Sequence, residues 1–491
     1  MSKPASLTVT DTEFGDQEAE TLANLGLQRG SDGLISWRPD SKDHPRNWTS
    51  ARKIFDTTVI IFLELFVTVV STAGASAAHA AQPEYGIDNV SSILAFTFIN
   101  RQPLHPALSE PIGRRTPNLI SCGIFSLFSL LTGTVPHFAA VWTGRFVTGV
   151  TSAVPAVVTA GSIHDMFGGA QHVWLVVVWN AGSTAGLCLG PVYGAYVASA
   201  CGGWRWGFHC SAIVTAVYFL CLLGVRESRP SRILKGKMEV LRRASGGGSG
   251  TGNLDWFNPD HAADVRALVR LVVVQPLRLP GTELIVVMVT TISAVSWGII
   301  YLFTESLPDV CMPMSAGFTR TSSSLAFLAF LPGVVLSLLP RFEGKIMGFA
   351  IAAPALAVGL MWYAWTIPPA AAQVHWPVPT AALVPVGFAV SEMAYTLSAY
   401  LTDAYQLYAA SAFCGLAFVR ALVSGVMPLV GQQMYPGLGA NIAGTIVACF
   451  ALVFCLAPWV IFRYGKTLRE KEPFRQTQFG EPSQESGSVA D

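Results

Sequence analysis

Residues 173–199 read VWLVVVWNAGSTAGLCLGPVYGAYVAS. The run is 27 residues long without a charge, more than the roughly 20 apolar residues that cross a bilayer as a helix. Inside it Gly182, Gly186, Gly190 and Gly194 recur every four residues, and Pro191 follows directly on Gly190. Small residues at this spacing fall on one face and let another backbone approach closely in lipid. The proline frees a backbone carbonyl and permits bending. The stripe is either a tight packing face or, more sharply read, a seam between two moving bundles.

Eleven further segments resemble this one in length and polarity. The twelve expected spans are 54–78, 90–108, 119–135, 139–163, 173–199, 208–225, 283–307, 322–339, 346–367, 379–401, 409–430 and 441–462. Composition agrees, with 52% hydrophobic and 12% charged residues in 491 and a mean hydropathy of +0.47. Lipid is therefore the expected solvent for most of the chain, with an all-α membrane fold. A net charge of +1 offers nucleic acid no footprint. The nine cysteines show no CxxC and no metal-ligand spacing, so neither a metal nor a cofactor is expected. Cys201, Cys210 and Cys311 fall near one face, where a disulfide is an option. Nothing points to an enzyme: paired intramembrane histidines and a nucleophile–base pair are both missing.

Basic residues orient the spans. With both ends inside, only Arg205 and Arg320 of the 31 Lys and Arg fall outside, while Arg101, Arg145 and Arg420 lie within spans. That agrees with the excess of positive charge in cytoplasmic loops. An even number of spans follows. The expected organisation is a polar N-terminal segment (1–52), a six-helix bundle (53–226), a cytoplasmic linker (227–282), a second six-helix bundle (283–463) and a tail (464–491). The linker carries the run SGGGSGTG at 245–252 and reads as flexible, and the terminal segments read as mobile. Two bundles of six, rocking about a site at mid-membrane, describe a transporter.

Charges within spans cost at least about 2.5–3.5 kcal/mol each at a helix centre and mark function by default. Glu64 shares a helix face with Thr57, Thr68 and Ser71; Arg145 with Thr148, Ser152 and Thr159; Glu392 with Thr396 and Asp403. Each helix thus turns a polar stripe inward. Glu64 and Glu392 are candidates for carrying a proton through a transport cycle, with Arg145 and Arg420 as counter-charges. The alternative is a permanent ion pair that fixes packing. His79 and Glu84 read as solvated residues at the outer end of the first span. Glu110, Gly113, Arg114 and Arg115 follow the second span, where they either anchor anionic headgroups or latch helix ends together. Trp297, Tyr301 and Tyr395 are candidate cavity aromatics. Asn89-Val90-Ser91 has the form of a glycosylation site.

Several motifs resemble those of the fungal twelve-span drug:proton antiporters of the major facilitator superfamily. Asp43-His44-Pro45-Arg46-Asn47-Trp48-Thr49 is similar to that family's Asn-Pro-x-Asn-Trp-Ser approach to the first span. Leu108-Ser109-Glu110 through Gly113-Arg114-Arg115 resembles the signature between spans two and three, and Arg145 with Gly149 the Arg-x-x-x-Gly element of span four, ending at Asp165. Gly186 to Gly194 resembles the antiporter motif of span five, and Trp204-Arg205-Trp206 the turn after it. In the second half, Tyr400-Leu401-Thr402-Asp403-Ala404-Tyr405, Ala409 to Ala412, Arg420, and Met434-Tyr435 with Leu438-Gly439 resemble spans ten to twelve.

The resemblance covers about residues 37–469. It implies export of small amphipathic molecules, such as drugs, toxins or secondary metabolites, driven by proton entry. It also implies that Arg145 assists coupling and that the protein is a monomer. The plasma membrane is the expected location and the vacuolar membrane the alternative. The chain departs from the pattern where Arg101, Pro103, His105 and Pro106 crowd span two, and where Gly168-Gly169-Ala170-Gln171 lacks a basic residue. A shortened second span leaves two alternatives beside export: an uptake symporter, or a membrane protein that no longer transports.

Overall fold

The computed structural model describes residues 21–29, 35–98, 113–244, 284–314, 318–339, 345–370, 374–404 and 409–471. Among these, ten helices are long and apolar enough to cross a membrane, and two shorter apolar helices lie where spans two and eight are expected. The first half comprises α1 (Ser50–Tyr85), α2 (Asn89–Phe98), α3 (Arg115–Thr134), α4 (Phe138–Met166), α5 (Gly169–Cys201) and α6 (Arg205–Gly224). After α7 (Pro230–Ala244) comes the second half: α8 (Leu284–Cys311), α9 (Arg320–Leu336), α10 (Lys345–Thr366), α11 (Leu383–Ala404), α12 (Ala409–Leu438), α13 (Ala440–Phe454) and α14 (Leu456–Lys471). The twelfth expected span is thus made of α13 and the start of α14, joined at Cys455.

The halves repeat one packing scheme. In the first, α1 packs on α5, α3 on α6, and α2 on α4; in the second, α8 packs on α12, α10 on α13, and α9 on α11. These are the same pairs shifted by six spans, as expected of a duplicated bundle. The larger core fills the second half, around Phe303, Phe327, Phe330, Phe349 and Tyr363, all buried. Phe62, Leu127, Leu220, Phe450 and Trp459 are exposed on the outside of the bundles, the placement that suits a lipid-facing surface.

Helix ends have local causes. α1 is 36 residues long, about 54 Å at 1.5 Å per residue, so it projects beyond a hydrocarbon core of about 30 Å. It stops at Gly86, whose φ of 60° is left-handed and closes the helix through a bond back to Gln82. α2 starts on Asp88, whose carboxylate accepts from the Ser91 amide, and ends in a π turn over Leu94–Phe98. It supplies nine residues of the span expected at 90–108; residues 99–112, Glu110 among them, lie outside the described residues.

Two expectations are corrected outside the long apolar helices. The N-terminal segment is not uniformly loose: Leu27–Arg29 (β1) and Ile35–Trp37 (β2) pair antiparallel, with Leu27 opposite Trp37. The linker begins with α7, whose Leu234 and Met238 bury against Leu22, Leu27 and Ile35. Lys237 binds the Asp43 carboxylate at 2.6 Å and lies 5.1 Å over the Trp37 ring. Apolar residues four apart make one sticky face on an otherwise basic helix. The hairpin and α7 mark one face of the molecule, called the hairpin face below.

Candidate functional site

The polar stripe of α1 does border a cavity. Glu64, Thr68 and Ser71 of α1 meet Ser152 of α4, Trp179, Asn180 and Ser183 of α5, Trp297 and Tyr301 of α8, and Arg420 and Ser424 of α12 around a space of about 130 Å³. Both halves contribute, and Glu64 and Arg420 come from opposite ones. The volume is close to that of an engineered cavity, about 150 Å³, that admits benzene.

The polar part of the lining is under-satisfied. Arg420 sits 4.0 Å over the Trp297 ring, a close cation–π contact, and acts electrostatically on the Glu64 carboxylate. Glu64 is buried, and its Oε2 has no hydrogen-bond partner. Trp179 Nε1, Trp297 Nε1, Ser183 Oγ and Ser424 Oγ are likewise buried and unpartnered. Buried polar atoms normally find partners, so five such atoms round one cavity describe a surface made to be completed by water or a guest. The sequence reading found Glu64, Arg420, Trp297 and Tyr301 here. It missed Trp179, Asn180 and Ser183, whose signal was the polar interruption of the apolar run of α5, and Ser424, one turn after Arg420 on α12.

Other sequence candidates lie elsewhere. Arg145 is buried inside the first half, where its guanidinium donates to the Phe96 carbonyl from Nε at 3.1 Å and from Nη2 at 2.5 Å, and stacks 5.3 Å over Phe208. Glu392 is buried within the second half, where it accepts from Thr396 Oγ1 at 3.3 Å and lies so close to Gly348 that a Cβ there would overlap Oε1. Neither side chain lines the central cavity, nor does Tyr395.

The glycine stripe of α5 faces α1 of its own half. The seam reading between bundles is therefore corrected. A Cβ on Gly186 would lie 2.7 Å from the Leu65 carbonyl, and one on Gly194 2.9 Å from that of Ala73. On Gly190 it would overlap Thr72 Oγ1 and the Val69 carbonyl, whereas Gly182 has room. The Pro191 carbonyl accepts from Ser76 of α1 at 3.3 Å. The reason is chemical: α1 offers Ala73, Thr72 and Ser76 as small partners, while the adjoining flank of α5 carries Leu187 and Cys188 into the core of the other half.

On the hairpin face, Gly113, Arg114 and Arg115 build a latch. The Arg114 and Arg115 amides donate to the two oxygens of Glu227 at 2.8 and 3.0 Å, and Arg114 Nε binds Asp165 Oδ2 at 3.2 Å. Gly113 has a φ of 103°, and a side chain there would collide with Glu227. Three helix ends are thereby tied together, those of α3, α4 and α6. The opposite face carries a different polar contact. His79 Nε2 of α1 lies 2.8 Å from Glu305 Oε2 of α8, joining the two halves, where the sequence suggested a merely solvated histidine. Tyr301 and Glu305 lie one turn apart on α8, so the same helix serves the cavity and this pair.

The major facilitator superfamily model matches residues 55–428. A major facilitator superfamily multidrug transporter of Candida albicans, FLU1, is 27% identical over 96% of this chain and 83% of its own length. The ascochitine biosynthesis cluster transporter of Didymella fabae is 26% identical over 90% and 89%. Among solved structures, a proton:xylose symporter, XylE, aligns with a TM-score of 0.58 at 16% identity, covering 84% of this chain and 96% of its own. A peptide transporter, POT, aligns at 0.56 and 15% identity, covering 92% and 99%. At that identity the structural matches speak for the fold alone.

Proposed function

This chain belongs to the major facilitator superfamily, a family of transport proteins and not of enzymes, and on that premise we propose that it exports small organic molecules in exchange for protons. The observation that carries the reading is Glu64: a buried carboxyl with a partnerless oxygen, facing Arg420 of the other half across a cavity that both halves build. Such a group exchanges one charge for none when it takes a proton, and so changes the attraction between the halves. The curated relatives support the class of cargo, since one is named a multidrug transporter and another a transporter of the ascochitine biosynthesis cluster.

The residues take distinct parts in this proposal. Glu64 carries the proton, and Arg420 holds the carboxylate when the proton leaves. Trp297, Tyr301 and Trp179 provide flat apolar faces, while Ser183, Ser424 and Asn180 supply hydrogen bonds for cargo. Arg145 positions α2 against α4, and Glu392 fixes α10 against α11. The hairpin face is the cytoplasmic one, and the Arg114–Asp165–Glu227 latch makes α3, α4 and α6 move as one body. The protein works as a monomer in the plasma membrane.

The test is accumulation of a fluorescent lipophilic cation in cells expressing the chain. Lower accumulation that vanishes when the proton gradient collapses, and vanishes in Glu64→Gln at equal surface expression, is the expected result. A chain that raises accumulation instead would be an uptake carrier, and the export reading would fall.

A further inference from the structure

The end of the molecule away from the hairpin holds a second cavity, about 360 Å³, lined from both halves by His79, Asn89, Glu305, Asp309, Gln432 and Tyr435. Across it runs the His79–Glu305 contact at 2.8 Å. The Glu305 side chain is 3% exposed, and its other oxygen, Oε1, is buried without a partner. A carboxylate so enclosed is costly unless a cation stands beside it. The only cation in contact with Glu305 among the described residues is His79, and only while the imidazole is protonated.

The other titratable groups around this cavity are satisfied within their own half. Asp309 pairs with Arg320 at 3.2 Å, both in the second half. Glu84 pairs with Arg205 at 2.6 Å and accepts from Trp204 at 2.8 Å, all in the first. Tyr435 of α12 hydrogen-bonds Ser306 of α8, Asn89 takes a bond from Gln82, and Asp88 caps α2. None of these contacts crosses between the halves. The His79–Glu305 pair does, from the last turns of α1 to the last turns of α8.

We propose that His79 and Glu305 form a proton-operated clasp that closes the outer face. With the outer face open, the two side chains are apart, His79 neutral and Glu305 ionised. A hydronium ion from outside gives its proton to the free imidazole nitrogen and leaves as water. The resulting imidazolium is drawn to the carboxylate, and the outer ends of α1 and α8 close together. Return of that proton to an external water, which leaves as hydronium, removes the cation and leaves a buried carboxylate uncompensated, which reopens the face. Histidine suits this work because it changes charge in the range of pH that cells meet. The inference rests on the exporter reading for its direction only: an antiporter that has released cargo must take a proton from outside before it turns inward.

The experiment measures the clasp without cargo. Spin labels on Ala80→Cys and Met312→Cys, at the outer ends of α1 and α8, report the distance between the halves in lipid nanodiscs, in a full-length chain with exposed Cys201 and Cys449 changed to serine. The distance should shorten by several ångström as pH falls from about 8.5 to about 5.5. His79→Gln should remove the pH response, and His79→Arg, with a permanent charge, should give the short distance at both pH values. A wild-type distance that ignores pH, or an unchanged response in His79→Gln, overturns the clasp. Because the readout needs neither cargo nor gradient, a working clasp in a chain without export would sink the exporter reading alone, and export without a pH-dependent distance would sink the clasp alone.

Discussion

Two glutamates placed alike in the sequence come to different uses in the fold, and their surroundings decide which. Glu64 has a partnerless oxygen and an arginine of the other half for company, whereas Glu392 is bonded by its own neighbour Thr396 and wedged against Gly348. Glu64→Gln should therefore abolish gradient-dependent export, while Glu392→Gln should keep the gradient dependence; side-by-side accumulation assays check this. The Glu64–Arg420 pair also makes a stability prediction. Taking away the cation that acts on a buried carboxyl leaves that group uncompensated, whereas removing both charges is often near neutral. Arg420→Leu alone should lower the thermal midpoint, and Glu64→Gln in that background should restore most of it. Independent, additive losses would mean that the two groups are not coupled. Intramembrane charge made these residues visible in the sequence. Their partners were not, because Glu64 and Arg420 are 356 positions apart and no local spacing encodes which helices face across a cavity.

Among elements, the α1–α5 pair is the tightest test of packing. A methyl on Gly190 would meet the Thr72 hydroxyl and the Val69 backbone, whereas on Gly182 it meets nothing closer than 3.9 Å. Gly190→Ala should cost about 1–3 kcal/mol of stability through overpacking, and Gly182→Ala almost none, as read by thermal unfolding in detergent. The four-residue spacing announced a packing face, but not its partner; the small residues Ala73 and Ser76 on α1 were the overlooked complement. Span length was likewise legible, since apolar runs of about 20 residues need only lipid to explain them. The hairpin and α7 were not, because their stability comes from a few long-range contacts. Leu234 buries to 3% exposure against residues some two hundred positions earlier. Leu234→Asp should undock α7 and raise tryptic cleavage at Lys235 and Lys237 several-fold; equal cleavage rates would show that the docking does not hold in solution.

At the scale of the whole molecule, among the described residues the halves meet at the cavity that Glu64 and Arg420 line, at the His79–Glu305 contact on the end away from the hairpin, and through the Leu187–Cys188 flank of α5 against the second core. Two rigid bodies joined so sparingly separate at one end more cheaply than either deforms internally, because close-packed cores resist distortion. Within each body the joints are dense: the glycine stripe ties α5 to α1, and Arg114 with Glu227 ties α3, α4 and α6. Exposure of the central cavity should therefore switch between faces rather than grow gradually. A cysteine at Ser424, which lines that cavity from the second half, would report the switch. In a chain lacking exposed native cysteines, a membrane-impermeant maleimide added outside should label Ser424→Cys slowly at acid external pH, where the outer clasp is shut. Because maleimide attacks the thiolate, each rate is divided by that of free cysteine at the same pH; the normalised rate should be at least tenfold higher at alkaline external pH, a factor equivalent to about 1.4 kcal/mol in the opening equilibrium. Adding Glu305→Gln, which takes away the carboxylate that holds the clasp, should make the normalised rate high at both pH values. Slow labelling under every condition would mean that the halves do not part at the outer face, and the rocking of two bundles would have to be replaced by motion within one.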